Sequence, residues 1–336
     1  MRNLIESSRQ DDNDFIHYLD IPASAGIFSF IFFAKLSGGK KVNENKYIHN
    51  ALRQIHVDTP CSPISGFSIS GLATYIQIPE LDFCIDMGEC PLSAIPIDHV
   101  FLTHAHGDHA RCLMRHHSLR KMMGVERDSV YYMPKCVSEY AKAWIKAEAL
   151  FEGVSDAKFR YPEIEPVSAN ELQFLRYRKD LALEAFEVKH SISAMGGTLY
   201  FYKKKLKDEF LGKTPTEIIE LRKNGVEITR EVYEPLISFM GDCLGESLLD
   251  NSRVFQSKVL ITECTFLDDG EEAMSKKKGH SHLKDIVNAL NELDDEIKCE
   301  KIILSHFSMK YSERHIREML DKAIPEKFKE RIIAFI

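Results

Sequence analysis

The stretch Thr103-His104-Ala105-His106-Gly107-Asp108-His109 places four side chains that can coordinate a cation within six positions. His104 and His106 are two residues apart, so on an extended chain they project to the same side and can bind one cation together. Asp108 and His109 follow where the chain turns, and they can bind a second cation. Carboxylate and imidazole ligands suit Zn, Mn or Fe, and metal pairs commonly hydrolyse phosphate esters. A chance cluster of polar loop residues is the alternative, which this spacing after an apolar run disfavours.

Size and composition favour an enzyme of one large or two ordinary domains. The chain has 336 residues, of which 44% are apolar, and a net charge of −7, which argues against a general nucleic-acid coat and leaves only local basic patches. Its longest apolar run, residues 26–34, is far shorter than the roughly 20 residues that cross a bilayer, so we expect a buried strand or an interface and no membrane partner. Eight cysteines without C-x-x-C pairs, and no recognisable secretory signal, predict reduced thiols and a cytoplasmic protein.

Further candidate ligands follow predicted strands, which is the arrangement expected at the edge of packed sheets. Alternating patterns from residue 67 onward predict a series of strands. His190 follows the strand at 181–188, Asp242 follows one that ends near residue 240, and His306 follows one at 302–304. A β-turn aspartate is the alternative for Asp242, because Gly-Asp is a common turn dipeptide.

Two helices and one insertion complete the pattern. Residues 110–123 predict a helix whose basic face opens at the metal motif, although a solvated helix face explains the same charges. Residues 134–151 predict a long helix with Trp144, Ile145 and Leu150 as core contacts. Residues 202–235 interrupt the strand rhythm with a charged insertion. Its lysines are the candidate RNA contacts, with a solvated loop as the alternative: Lys203, Lys204, Lys205 and Lys207.

The motifs as a set resemble the ribonuclease Z family of tRNA 3′-processing endonucleases, within the metallo-β-lactamase superfamily. The resemblance is closest to the short form found in plants and covers the chain from about residue 66 to its end. It is carried by His104-x-His106-x-Asp108-His109, Val188-Lys189-His190-Ser191, Gly241-Asp242, Glu263-Cys264-Thr265-Phe266-Leu267-Asp268-Asp269, Gly279-His280 and His306-Phe307-Ser308-x-Lys310-Tyr311.

This resemblance implies a fold and a domain plan. The fold would be an α/β four-layer αβ/βα sandwich with a protruding insertion at about 202–235. Residues 66–336 would form the catalytic domain, and residues 1–65 would be an extension of unknown role. In the superfamily, an Asp-x-Gly such as Asp86-Met87-Gly88 buttresses the metal loop, although an ordinary turn explains it equally well.

The resemblance also implies the site and its chemistry. His104, His106 and His190 would hold one Zn²⁺, and Asp108, His109 and His306 a second, with Asp242 bridging; Mn²⁺ or Fe²⁺ could replace zinc. Glu263 and His280 match the remaining catalytic positions, with His280 as the acid that protonates the ribose O3′ and Asp108 assisting the attacking water. Lys310 stands where the family commonly has Arg. Precursor tRNA would be the substrate, and the chain would be a homodimer in which one subunit's insertion serves the other's active site.

Two other functions compete with this interpretation. One is another hydrolase of the same fold that acts on a small phosphodiester, a thioester or a lactone. The acidic net charge favours it, and so does the absence from the insertion of the Gly-Pro signature of bacterial tRNA-gripping arms. The other is an RNA-binding homologue without activity, which the complete set of seven ligand-type residues argues against.

Overall fold

The computed structural model describes residues 53–155 and 160–336. Most of the N-terminal extension lies outside the described residues, including residues 26–34, which we expected to form a buried strand or an interface. Within that part of the chain there are fifteen strands and eight α-helices. The strands are β1 Ile55–Val57, β2 Ile64–Ser70, β3 Ala73–Ile78, β4 Phe83–Ile85, β5 His99–Phe101, β6 Val130–Pro134, β7 Glu163–Val167, β8 Leu172–Phe174, β9 Leu181–Val188, β10 Ala194–Leu206, β11 Thr229–Phe239, β12 Val259–Glu263, β13 Lys301–Ser305, β14 Phe307–Ser308 and β15 Ile332–Ala334. The helices are α1 Gly107–Ala110, α2 Leu113–Met122, α3 Lys135–Phe151, α4 Pro215–Lys223, α5 Glu246–Asp250, α6 Glu272–Lys278, α7 Leu283–Leu293 and α8 Glu313–Ala323.

The strands form two mixed sheets. The first has the order β1-β2-β3-β4-β5-β6-β7, with β14 pairing with β2, and the second has the order β15-β13-β12-β11-β10-β9-β8. Strands β4 to β7 are parallel, as are β11, β12, β13 and β15. The first sheet begins at residue 55, so β1 and the start of β2 precede the expected domain boundary at residue 66.

Three apolar clusters show that the sheets and helices form four layers. Phe101 of the first sheet and Phe239 and Ile261 of the second belong to one buried cluster between the sheets. Helices α2 and α3 cover the outer face of the first sheet, and α5, α7 and α8 cover that of the second. The expected αβ/βα sandwich is confirmed. No described helix is long and apolar enough to cross a membrane.

Helix α3 buries a different face from the one we expected. Ile145 is fully buried as expected, but Trp144 is 38% exposed and Leu150 is 53% exposed, so the expectation for these two was wrong. Successive helical residues point about 100° apart, and the buried side is set by the spacing of Ala141, Ile145 and Ala149. Trp144 therefore points away from the sheet.

Helix α2 shows that only part of its basic character is at the surface. His116, His117 and Arg120 are buried, and the Arg120 guanidinium donates to Asp98 and to backbone carbonyl oxygens. Arg115 in this helix and Arg111 just before it remain exposed. We expected either a basic face that opens at the metal motif or a solvated helix face. Neither description is complete, because some of the basic residues form the buried face of the helix.

The insertion is an extension of two sheet strands. Strands β10 and β11 remain paired beyond residue 202, from Tyr202 opposite Tyr233 to Leu206 opposite Thr229. Helix α4 lies between them, and Thr214 and Glu217 form a capping box at its start. The alternation of apolar residues stops near residue 202 because this two-stranded ribbon leaves the sandwich and has no core to cover. We call residues 202–235 the arm.

Candidate metal centre

The candidate ligands come together at one edge of the sandwich, where strands of both sheets end. His104 and His106 follow β5, Asp108 and His109 lie in α1, and His190 follows β9. Asp242 follows β11 and His306 follows β13. Because β5, β11 and β13 all run towards this edge, residues more than 200 positions apart become neighbours.

One group of ligand atoms is formed by His104, His106, His190 and Asp242, all within 4.8 Å of one another. His106 Nδ1 lies 3.1 Å from His104 Nε2 and 3.2 Å from His190 Nε2. Burial lowers the pKa of His104 well below its usual value, and it lowers that of His106 too. Neutral imidazoles with converging lone pairs are the state that coordinates a metal ion.

A second group is formed by Asp108, His109 and His306, again within 4.8 Å. The Nε2 atoms of His109 and His306 are 3.3 Å apart, and Asp108 Oδ2 lies 3.8 Å and 3.7 Å from them. Burial would raise the pKa of the Asp108 carboxyl, but His306 and His109 hold it below its usual range. The Asp108 carboxyl is therefore ionised at neutral pH, which is the state that can bind a cation.

Asp242 faces both groups. Its Oδ2 lies 3.8 Å from His104 Nε2 and 3.3 Å from His109 Nε2, and its Oδ1 lies 3.4 Å from His306 Nε2. Burial would raise the pKa of this carboxyl, but His109 and His306 hold it well below its usual range. A buried carboxylate between two groups of imidazoles fits a bridging ligand, and the mixed nitrogen and oxygen donor set fits zinc, manganese or iron.

Hydrogen bonds on the outer side of the rings fix their orientation. His109 Nδ1 donates to Asp86 Oδ2 at 2.7 Å, and Asp86 Oδ1 accepts from the Thr103 backbone N–H at 2.8 Å. His190 Nδ1 donates to the Gly279 carbonyl oxygen at 2.7 Å. These contacts turn Nε2 towards the centre, as metal-binding histidines require. Asp86 therefore buttresses the loop and is more than a turn residue.

A close backbone approach supports this buttress. A Cβ added at Gly88 would lie 1.8 Å from the Asp108 carbonyl oxygen. No other amino acid fits there without moving the ligand loop, which explains the glycine of Asp86-Met87-Gly88.

Glu263 and His280 form a hydrogen-bonded pair beside the ligands. Glu263 Oε1 lies 3.0 Å from His280 Nδ1 and accepts from the Cys243 backbone N–H at 2.7 Å. Burial would lower the pKa of His280, but Glu263 and Asp242 raise it to about 9. The His280 imidazole is thus protonated near neutral pH. One of its ring nitrogens also lies within 4.8 Å of ligand atoms of Asp242 and His306.

Sequence reasoning missed one polar contributor to this edge. The Thr265 hydroxyl donates to Glu263 Oε2 and lies 3.0 Å from His306 Nδ1. It therefore links the candidate acid pair to a candidate ligand. Its position two residues after Glu263, where a strand ends, was the available signal.

The candidate substrate lysines lie in two separate places. Lys310 is linked to His280 through the ring of Phe266, whose centre lies 5.4 Å from the Lys310 ammonium and 6.4 Å from the centre of the His280 ring. The arm lysines lie at the far ends of the strands whose near ends carry His190 and Asp242. Thirteen residues of β10, at about 3.3 Å each, separate these ends by up to about 40 Å.

Comparison with known proteins places these features in a family. Residues 88–307, which include all seven candidate ligands, match the family model described as the Beta-lactamase superfamily domain. The chain is 32% identical over 275 residues to tRNase Z TRZ1 of Arabidopsis thaliana, covering 81% of this chain and 94% of that protein. It is 29% identical over 309 residues to tRNase Z TRZ2, chloroplastic, of the same plant, covering 91% and 83%.

Among solved structures, the short form of human tRNase Z is 18% identical with a TM-score of 0.49, over 76% of this chain and 93% of that one. The expected family is confirmed by the sequence relatives. The chain belongs to the tRNase Z (ribonuclease Z) family of the β-lactamase superfamily.

Proposed function

We propose that this chain is a metal-dependent endoribonuclease that cleaves precursor tRNA at the 3′ end of the tRNA and releases the 3′ trailer. One observation carries the proposal: a chain 32% identical to a tRNase Z over four fifths of its length keeps seven ligand-type side chains converged at one edge. The cleaved bond joins phosphorus to the ribose O3′, so the tRNA keeps a 3′-hydroxyl.

The two groups of converging atoms support a proposed assignment of the metal ligands. His104, His106 and His190 hold one divalent cation, and Asp108, His109 and His306 hold the other, with Asp242 between them. Zinc is the proposed metal at both places, and Mn²⁺ or Fe²⁺ also suits this donor set. The ligand atoms within each group all lie within 4.8 Å of one another, which supports this assignment.

Protein groups supply the proton transfers. When bound, the cations activate a water molecule and neutralise charge that develops on the phosphoryl oxygens. Asp108 orients this water and assists in accepting its proton. The water oxygen bonds to phosphorus, the bond from phosphorus to O3′ breaks, and His280 gives its proton to O3′. Glu263 holds the His280 ring at 3.0 Å and stabilises its protonated form.

Cleavage of a 3′-extended tRNA tests the proposed function. We expect a tRNA product with a 3′-hydroxyl and a trailer with a 5′-phosphate, and loss of both after metal removal. Hydrolysis of a lactone or thioester with the precursor left intact would refute the proposal and favour a different hydrolase of the same fold.

The arm is proposed to contact the tRNA at a distance from the chemistry. Its lysines are only partly available, because Lys203 lies 2.5 Å and Lys205 lies 3.4 Å from Glu234, and Lys207 lies 4.0 Å from Glu227. Lys204 is exposed, and among the described residues no carboxylate forms an ion pair with it. The arm points away from the ligand edge of its own chain, which supports contacts with a distant part of the tRNA or with tRNA bound to a second subunit.

We further propose a homodimer in which α3 forms a contact. The outer face of α3 carries Tyr140, Trp144 and Phe151, which are 79%, 38% and 92% exposed. Their spacing of four and seven residues places them on one side of the helix. In an antiparallel pair of these helices, Phe151 of one copy lies opposite Tyr140 of the other. An exposed apolar stripe of this kind indicates an interaction surface.

Light scattering over a range of concentrations tests the dimer. Phe151→Glu should shift the chain towards monomer at little cost in folding, because Phe151 has few contacts of its own. Leu92→Glu is the matched control, since Leu92 is 73% exposed elsewhere and should leave the dimer unchanged. A monomer at every wild-type concentration would contradict the proposal.

A cytoplasmic location is also proposed. All eight cysteines are free thiols, which supports a reducing compartment. Cell fractionation tests this location, and recovery in nuclei or plastids would contradict it.

A further inference from the structure

Lys310 contacts a carboxylate and two aromatic rings, one of which neighbours His280. Its ammonium forms an ion pair with Glu271 and lies 5.4 Å from the ring centre of Phe266 and 4.8 Å from that of Tyr311. The Phe266 ring lies in turn against His280. The Lys310 side chain is still 44% exposed, so it is accessible to a bound ligand.

Glu271 is held firmly by its own surroundings. Its carboxylate accepts a hydrogen bond from the Tyr311 hydroxyl and one from the Asp268 backbone N–H at 3.3 Å. The Tyr311 oxygen in turn accepts from the Leu267 backbone N–H at 2.9 Å. Glu271 also precedes α6 directly as its N-terminal flanking residue. Backbone and side-chain contacts therefore keep the carboxylate in place, and it can orient a flexible partner.

We propose that Glu271 is a positioning residue that keeps the Lys310 ammonium over Phe266, the ring that neighbours His280, where it contacts an RNA phosphate next to the one that is cleaved. This inference rests on the proposed function. A lysine ammonium is a point charge on a flexible stem and cannot grip a phosphate in two places as Arg does. A fixed carboxylate compensates by limiting where the ammonium lies. A partly exposed ion pair is weak, so Lys310 remains able to contact phosphate.

The direction in which RNA binding changes after removal of the Glu271 carboxylate distinguishes a positioning role from simple repulsion of RNA. A carboxylate near bound RNA repels phosphate, so its removal should by itself strengthen RNA binding. Glu272 provides the matched control. It is the next residue, lies in the first turn of α6, and forms an ion pair with Lys284 rather than with Lys310. If Glu271 only repels RNA, Glu271→Gln and Glu272→Gln should act alike.

The experiment compares these two variants on 3′-extended tRNA and on bis-p-nitrophenyl phosphate. Glu271→Gln should raise the KM for the tRNA by about two- to fivefold, the range of a partly exposed charge contact, and should raise it more than the KM for the small diester. Glu272→Gln should leave the KM for tRNA unchanged or lower it. In a Lys310→Ala background, Glu271→Gln should raise the KM no further, because the group that it positions is gone.

Three results would overturn the inference. If Glu271→Gln lowers the KM for tRNA as Glu272→Gln does, Glu271 only repels RNA. If Glu271→Gln impairs both substrates equally, or still raises the KM in the Lys310→Ala background, its role is structural. If the wild-type chain cleaves no precursor tRNA, the proposed function itself fails, and this outcome is distinct because it precedes any comparison of variants.

Discussion

Replacing Asp86 by Asn tests whether the outer hydrogen bonds set the ligand state of His109. Asp86 has a positive φ of 61°, which Asn tolerates better than most residues, so the backbone should stay in place. The amide oxygen can still accept from the Thr103 backbone N–H. The amide nitrogen then faces His109 Nδ1, now 2.7 Å from a carboxylate oxygen, and it can only donate.

This change reverses the roles of the ring nitrogens. With the new amide donating to Nδ1, a neutral His109 carries its proton on Nε2, which is the atom that faces His306 and Asp242. Metal binding must then displace that proton or break the new hydrogen bond. Loss of the hydrogen bond that orients a metal-binding histidine usually costs about 10- to 100-fold in metal affinity. That factor corresponds to roughly 1.4 to 2.8 kcal/mol.

Chelator competition on purified protein measures the metal affinity directly. Asp98→Asn is the matched control: Asp98 is also a buried carboxylate, but it lies 2.5 Å from Arg120 and 2.7 Å from Arg127. That variant should lower the free energy of unfolding and leave metal affinity near wild type. Wild-type metal affinity and activity in Asp86→Asn would refute the account of how His109 is held.

Three further predictions concern other groups. The His280→Ala variant should keep its metal while turnover on RNA falls by about 10²- to 10⁴-fold. Hydrolysis of bis-p-nitrophenyl phosphate should fall much less, because its leaving group needs no proton. Loss of a metal ion from the variant would instead indicate that His280 is a ligand. Lys204→Ala should reduce the slope of log RNA affinity against log salt concentration by about one. Lys203→Ala should reduce this slope less, because Lys203 is ion-paired with Glu234. Equal reductions in the two variants would contradict this prediction. Burial would lower the pKa of His99, but Asp82 and the Arg176 carbonyl raise it, so the protonated ring stabilises the fold fully below the unfolded pKa of about 6.5 and this stabilisation is lost as pH rises through the higher folded pKa. The difference in free energy of unfolding between wild type and His99→Gln, measured in urea, should therefore narrow from pH 6 to pH 8. A constant difference would contradict this prediction.

The sequence predicted, for a physical reason, that the candidate ligands would lie at the ends of strands. Each candidate ligand follows a strand closely, and the carboxyl ends of parallel strands share one edge of a sheet. His190 and His306 follow strands of the second sheet, whereas His104 follows a strand of the first, so the family resemblance was needed to place all three at the same edge. For Asp242 a β-turn residue remained the alternative, and only the structure places its carboxylate between the two groups of imidazoles.

Features that depend on packing partners were predicted less well. Trp144 was expected in the core because it is apolar, and His116 was among the basic residues expected on a helix face. The structure reverses both, because neighbouring elements decide which side of a helix is covered. Lys203 was expected to be free for RNA, but Glu234 lies far along the chain and faces it only once β10 and β11 pair. Such cross-strand partners cannot be read from local sequence.

Metal titration of the metal-free chain tests the central claim most directly. Cleavage of 3′-extended tRNA should return as Zn²⁺ is added and should reach its plateau at two equivalents per chain, with a 3′-hydroxyl on the tRNA product. A plateau at one equivalent, or full cleavage without added metal, would contradict a site in which His104, His106 and His190 hold one cation and Asp108, His109 and His306 hold another.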